Sequence, residues 1–318
     1  MTDIEYVTMQ KSTIVRSQKE PWLMPLVRAG NRALSTLAPH AAAQRAERLF
    51  LTPPRHRRSA AEIALLSSAS ARPLQVGKHR IETWRWGSGP SVLLVHGWGG
   101  RGTQLGGFIE PLVAHGFSVV TFDAPGHGAS EGGLVTIPEV VAVLREVAAS
   151  QRHLVGLVAH SIGGTAAARA LHDGLRVDVA VLIGAPAHLV DPAARFTETL
   201  GFSRHTGELM RARIEQRAGM PWSAFEVSTL APAQSPPLLL VHDRGDAEVP
   251  WQHATLIARA WPGAEVLSTD GLGHRRILRD PDVVAAAVAF ITARTAERRV
   301  PAIGHDRLWA ETIGARRA

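Results

Sequence analysis

The sequence predicts an α/β protein: a mainly parallel sheet flanked by helices, with a small helical cap and a helical N-terminal extension. Three observations carry this expectation. From Ser91 to Ile183, short and wholly apolar runs alternate with helix-length amphipathic segments, the pattern of strands buried on both faces and joined by crossover helices. Between Gly184 and Pro236 the rhythm lapses into helical pieces without a strong strand, and then Pro-Pro-Leu-Leu-Leu-Val241 resumes it. From Pro21 to about Ala71 the chain carries helix signals, and the strand pattern begins only at Leu74.

Residues 1 to about 20 mix charges throughout and are expected to be poorly ordered. They lack the apolar core and small-residue cleavage site of a secretory signal, so a cytoplasmic location is the default. From Pro21 to about Ala71 the apolar spacing is broken and predicts two or three short helices. Pro53-Pro54 ends one of them, and Ser59-Ala-Ala-Glu62 opens another as a capping box. Their apolar faces suit docking on the protein's own body better than lying on a membrane surface. Gln75-Val76 and the alternating Ile81–Trp86 read as a hairpin turning at Gly77-Lys-His. The buried strand Ser91–Val95 follows, then helix 103–114, strand Ser118–Phe122, helix Ile137–Ala149, strand Leu154–Val158, helix 162–173 and strand Val179–Ile183. The cap carries helical pieces at Asp191–Leu200 and Thr206–Ala218. Beyond Val241 come helix Trp251–Trp261, strand Ala264–Ser268 and a closing helix, Pro281–Ala296. The expected organisation is an extension at 1–73, a sheet domain at 74–300 with the cap at about 185–235, and a basic tail at 301–318.

Bulk properties narrow the function classes. Among 318 residues, 45% are hydrophobic and none is cysteine. Disulfides, thiolate catalysis and cysteine-held metals are thereby removed, and a covalent mechanism needs a hydroxyl, carboxylate or amine. No apolar run approaches the roughly 20 residues of a membrane span, so stable membrane insertion is not expected. The net charge of +7 is dispersed in small clusters, Arg55-His-Arg-Arg58, Arg275-Arg276, Arg298-Arg299 and Arg316-Arg317. Without interleaved aromatics these read as a solvated basic surface, and no nucleic-acid partner is expected. Nothing in the sequence sets an oligomeric state.

The chemistry centres on His153–Leu171, a short strand, a one-residue bend at Ser161 and a small-residue helix. A serine on such a turn is lifted out of the sheet, near the positive end of the next helix. Its flanks must be small, and Ala159, Gly163 and Gly164 are. After the strand ending at Val95, His96-Gly-Trp-Gly-Gly100 is a turn whose backbone N–H groups can face a substrate. Trp98 N–H and Ile162 N–H, the latter directly after the serine, are the expected oxyanion donors. After Val241 come two carboxylates: Asp243 suits capping its own turn, and Asp246, in the middle of the loop, can reach an imidazole; Glu248 reads as a solvated charge. Asp270-Gly-Leu-Gly-His274 places a histidine on a glycine loop near the C-terminus, completing the order nucleophile, acid, base. Gly97, Trp98, His160 and Trp222 are candidates for the substrate pocket, with Met210 and Met220 on the cap side. Asp123-Ala-Pro-Gly-His127 reads as a structural turn at the border of the site.

These motifs, His96–Gly100, Asp123–Ser130, Ala-His-Ser161-Ile-Gly, Asp246 four residues before Pro250 and Gly-Leu-Gly-His274, resemble the α/β-hydrolase family over about residues 75–296. The resemblance implies an eight-stranded, mostly parallel sheet and a triad of Ser161, Asp246 and His274. One departure is Ala159 where glycine is usual, a change that some lipases of the family share. The implied activity is hydrolysis of small-molecule carboxylic esters through an acyl-enzyme, with no metal and no organic cofactor. The alternatives are a thioesterase or acyltransferase with the same triad and, in another class, a non-catalytic binding protein on the same scaffold. Serine at the bend argues against dehalogenase and epoxide-hydrolase chemistry, for which the resemblance would require aspartate.

Overall fold

Ser91-Val-Leu-Leu-Val95 is buried at every position because it lies in the middle of a sheet covered on both faces. A computed structural model, which describes residues 6–10, 23–231 and 235–299, sets this strand in a nine-stranded sheet. In chain order the strands are β1 (Tyr6–Gln10), β2 (Ser70–Ala71), β3 (Leu74–Val76), β4 (His79–Ile81), β5 (Thr83–Trp86), β6 (Ser91–Val95), β7 (Ser118–Phe122), β8 (Leu154–His160), β9 (Val179–Ile183), β10 (Leu238–Asp243) and β11 (Glu265–Asp270). The sheet order is β1-β11-β10-β9-β8-β6-β7-β5-β2, and β3 and β4 pair separately as a hairpin. All neighbours in the sheet are parallel except β5 with β7 and β2 with β5. Eight of the nine make the expected eight-stranded sheet. The ninth, β1, departs from the expectation of disorder before residue 20. It pairs with β11 from Tyr6 opposite Val266 to Gln10 opposite Asp270. Without it β11 presents an unpaired edge, and Tyr-Val-Thr has the β-branched and aromatic character that fills one.

The helices are α1 (Met24–Leu37), α2 (Pro39–Leu51), α3 (Ala60–Ser67), α4 (Ile109–Ala114), α5 (Ile137–Ala149), α6 (Ile162–His172), α7 (Val190–Thr199), α8 (Arg204–Ala218), α9 (Gln252–Ala260), α10 (Gly273–Arg276) and α11 (Pro281–Arg299). Alternation along the strands divides the core. Leu93 and Val95 pack on α5, α6 and α9, while Val92 and Leu94 face α4 and α11. The single helix expected over 103–114 is instead a 3₁₀ segment, Gly102–Phe108, followed by the short α4. Gly102, Gly106 and Gly107 weaken the α-helix there.

The extension is fastened at two places. Helix α2 packs on the cap helix α8, where the buried Glu47 accepts Nε–H bonds from Arg213 and Arg217, both at 2.7 Å. Arg28 and Asn31 of α1 donate to the carbonyls of Thr199 and Leu200 at the end of α7. On the other side, Ser59 and Glu62 form the expected capping box at the start of α3. Glu62 also receives Arg101, at 2.8 and 2.7 Å, and the Thr103 hydroxyl at 2.8 Å. Burial alone would raise this carboxyl, but Arg101 and the other donors hold it at about 2. The Arg55–Arg58 cluster is exposed at Arg55, His56 and Arg57, as a solvated basic surface would be, but Arg58 turns inward. Arg55 donates to Gly126 O and Ser130 O, and Arg58 pairs with the fully buried Asp123. A guanidinium's forked donors find several acceptors inside a folded turn, which a charge count does not register. Pro21 and the basic tail at 301–318 lie outside the described residues.

Candidate active site

Ser161 occupies the single residue between β8 and α6, with φ 54° and ψ −129°. It is the only non-glycine residue of positive φ among the described residues. Such a conformation costs on the order of 1–3 kcal/mol and persists only when its surroundings fix it. Here Ser161 N–H donates to Ile183 O at 2.9 Å, and Gly164 N–H donates to Ser161 O at 2.8 Å. The bend also needs small neighbours: a methyl at Gly163 would stand 2.4 Å from His96 O. Ala159 is fully buried in β8, so its single methyl is accommodated.

The loops after β10 and β11 bring the expected acid and base together. His274 Nδ1–H donates to Asp246 Oδ2 at 2.7 Å, both side chains being buried. Asp246 Oδ1 accepts the N–H groups of Glu248 and Val249 at 2.8 and 2.9 Å. Burial pushes the Asp246 carboxyl up, but the bond from His274, its charge and the two backbone donors outweigh that and leave it below its ordinary value. Asp243 is spent on its own turn, accepting Gly245 N–H, Leu272 N–H and the Thr269 hydroxyl. His274 stands in the first turn of α10, not on an open loop, with glycines of positive φ at 271 and 273.

Two residues outside the sequence reading complete this part. Gly184, at φ 57°, follows β9 directly, and a Cβ there would lie 3.2 Å from His274 Nδ1. A side chain at 184 therefore crowds the imidazole; the signal was a glycine immediately after a buried strand. His242 Nε2–H donates to Val249 O at 2.8 Å and bridges the ends of the Asp246 loop.

The turn after β6 is rigid for a different reason. His96 donates from Nδ1 to Gly97 O at 2.7 Å and accepts Ala124 N–H on Nε2 at 2.9 Å. Burial pushes its pKa down to about 4, so the ring is a neutral brace. A methyl at Gly97 would stand 2.9 Å from Ser161 Cβ, so this turn backs directly onto the serine. Asp123 accepts Arg58, Gly102 N–H and Ala129 N–H, as a structural turn would. Trp98 packs edge-on against His127, with ring centres 5.2 Å apart.

Ser161, Ile162, Trp98 and His274 all border one cavity of about 520 Å³. Its remaining wall is largely apolar, with Phe196 and Trp222 from the cap and Leu49, Phe50 and Leu51 from α2. Trp222 thus stands where the sequence placed it. Gly97 and His160 do not line this cavity, a correction to their assignment as pocket residues. Gly97 is occupied against Ser161, and His160 is buried behind the bend, where Nε2–H donates to His274 O at 2.9 Å. Burial and the neighbouring His274 drive the His160 pKa down to about 3. Met210 is buried inside the cap, and neither it nor Met220 reaches the cavity.

Among the described residues, one cluster has the makings of a metal centre: His188, Asp191 and His253. Its donors do not fit that role well. Ala187 N–H donates to His253 Nδ1 at 3.0 Å, which leaves the ring proton on Nε2, facing Asp191 Oδ2 at 3.4 Å. A metal-binding imidazole needs the reverse, a lone pair toward the ion and its proton toward the protein.

Comparison with known proteins agrees with this architecture. Two bacterial proteins named pimeloyl-acyl-carrier-protein methyl ester esterase match parts of the chain. The Aeromonas salmonicida protein is 34% identical over 92 residues, 28% of this chain and 35% of that protein. The Methylococcus capsulatus protein is 33% identical over 110 residues, 33% of this chain and 41% of that protein. The chain therefore matches well under half the length of either relative. Among solved structures, the Pyrococcus furiosus esterase Pf2001 is similar with a TM-score of 0.59 at 18% identity, covering 76% of this chain and 98% of that one. Mouse alpha/beta hydrolase domain-containing protein 10 gives 0.57 at 18%, over 72% and 99%. At such identities the likeness is one of fold. The model of the alpha/beta hydrolase family matches residues 92–287, more than half of the chain, from within β6 through all of β7 to β11, and the chain belongs to that family.

Proposed function

We propose that this hydrolase is a serine esterase that cleaves small-molecule carboxylic esters through an acyl-enzyme, and that it works in the cytoplasm. The observation that carries the reading is the Asp246–His274 bond opening, with the strained Ser161, on the same apolar cavity. In this reading Asp246 fixes the Nδ1–H tautomer, so Nε2 of His274 takes the Ser161 proton as the hydroxyl oxygen attacks the carbonyl carbon. Trp98 N–H and Ile162 N–H receive the oxyanion. Collapse of the tetrahedral species breaks the ester C–O bond, and His274 returns the proton to the departing alcohol. Water then repeats the cycle and releases the acid and the free serine. All these steps run on the chain's own groups. The part-length relatives act, by their names, on a methyl ester, which favours oxygen esters over thioesters.

The test is covalent labelling with a fluorophosphonate probe, followed by turnover of p-nitrophenyl and CoA esters with Ser161→Ala as blank. Labelling at Ser161 with faster oxygen-ester turnover is the expected result. An unlabelled Ser161 in native protein sinks the serine mechanism, and faster thioester turnover reassigns the enzyme as a thioesterase.

A further inference from the structure

We infer that helix α2 of the N-terminal extension is the acyl gauge of this site: Phe50 ends the acyl pocket, and the preferred substrates are esters of medium-length, uncharged acyl chains. The inference rests on the esterase reading above and adds the substrate class and the residue that sets it.

The first step is the polarity of the cavity. Beyond Ser161 and His274 its wall carries two charged side chains, and both are engaged: Arg195 donates to Ala247 O, and Glu248 pairs with Arg275 at 2.9 Å. The rest of the lining is mostly aliphatic and aromatic. An acyl chain with a charged end would lose its hydration along the apolar wall, whereas a hydrocarbon chain gains from every buried methylene. Size comes next. Allowing about 30 Å³ for each small group in a condensed phase, 520 Å³ accommodates on the order of fifteen non-hydrogen atoms. That is a medium-length chain with its ester group.

Phe50 lines the cavity and is held rigidly enough to stop such a chain. Its ring meets Phe196 of α7 edge-on at 5.1 Å and stacks on Trp222 at 6.1 Å. The three rings come from the extension, from α7 and from the segment after α8, so the pocket wall closes only when the extension is docked. The docking is firm: Leu51 and Ala46 of α2 are in the core, and Glu47 holds two arginines of α8. Arg211 over the Trp222 face, at 5.5 Å, steadies the far ring. A packed aromatic corner of this kind does not yield to one more methylene without strain.

The experiment measures kcat/KM for p-nitrophenyl esters from acetate to palmitate with the full chain. For wild type, the value should climb roughly fourfold per methylene, the worth of one buried CH₂, and then fall once the chain meets Phe50. Phe50→Ala should move the optimum to longer chains by about two carbons or more, and Phe50→Trp should move it to shorter ones. If Phe50→Ala does not fold, Phe50→Leu replaces it and should give the smaller shift in the same direction. Folded variants whose chain-length profiles coincide with wild type overturn the gauge, and an optimum at acetate in wild type overturns the substrate class. Fluorophosphonate labelling keeps the two proposals apart. A labelled Ser161 with coincident profiles sinks only the gauge, whereas an unlabelled Ser161 removes the esterase reading beneath it.

Discussion

Asp123 and Asp246 are two buried carboxylates near the carboxyl ends of strands, and each accepts two backbone N–H groups and one side chain. Asp123 follows β7 and is paired with Arg58 of the extension. Asp246 follows β10 and is paired with His274 on the cavity wall. The geometry around the two carboxylates is nearly the same, yet their consequences differ because of the partner. A guanidinium stays charged at every accessible pH and offers no proton to move, so Asp123 and Arg58 clamp a turn. An imidazole with Nδ1 fixed by a carboxylate keeps Nε2 for proton transfer. In the proposed mechanism, what sets Asp246 apart from Asp123 is the chemistry of its neighbour and the place of that neighbour on the cavity wall.

Substitutions on the two sides should separate activity from stability. Ser161→Ala should lower kcat by about 10⁶-fold while leaving the protein folded, measured by ester turnover and thermal melting. Asp246→Asn should lower kcat by about 10⁴-fold, because the amide permits the wrong imidazole tautomer, with little loss of melting temperature. A comparable fall in activity from Asp123→Asn in still-folded protein would erase the contrast. Asp123→Ala should instead destabilise by about 3–5 kcal/mol in denaturant titrations, since it strands the partly buried Arg58. Glu62→Gln sharpens the clamp side through pH. The folded carboxyl sits at about 2 against an ordinary 4.5, so its stabilisation is complete above pH 4.5 and is lost as pH falls from there toward 2. Up to ~3 kcal/mol should disappear over that window in wild type and be absent from Glu62→Gln, measured by unfolding at stepped pH. The smallest effect belongs to the bend. Ser161→Gly should raise stability by about 1 kcal/mol while abolishing turnover, because glycine relieves the positive φ that serine endures.

Legibility in the sequence followed the locality of the interactions. Strands Ser118–Phe122 and Val179–Ile183 and helix Ile137–Ala149 lie at the residues that hydropathy alone indicates, because burial on both faces or on one stripe writes itself into a short window. Asp246 was separable from Asp243 by loop position, and the hydrogen bonds of Asp243 to its own turn give the reason. The place of His160 is not legible in the sequence because its neighbour, Ser161, faces the cavity while its own ring turns back to the carbonyl of His274, 114 residues away. The roles of Gly184 and Arg58 leave no local trace for a related cause: each acts on a residue far along the chain.

Strand β1 is not written in the sequence, whereas from Ser118 onward the order of strands and helices, the bend at Ser161 and the residue types able to serve as nucleophile, acid and base are. Each of these depends on periodicity or on backbone demands within a few residues. Only the folded chain shows that α2 lines the cavity, that Arg55 and Arg58 clamp the Asp123 turn and that Gly97 and His160 stand behind Ser161. These depend on which surfaces meet after the sheet is assembled, and side-chain direction across such contacts has no periodic trace in the chain.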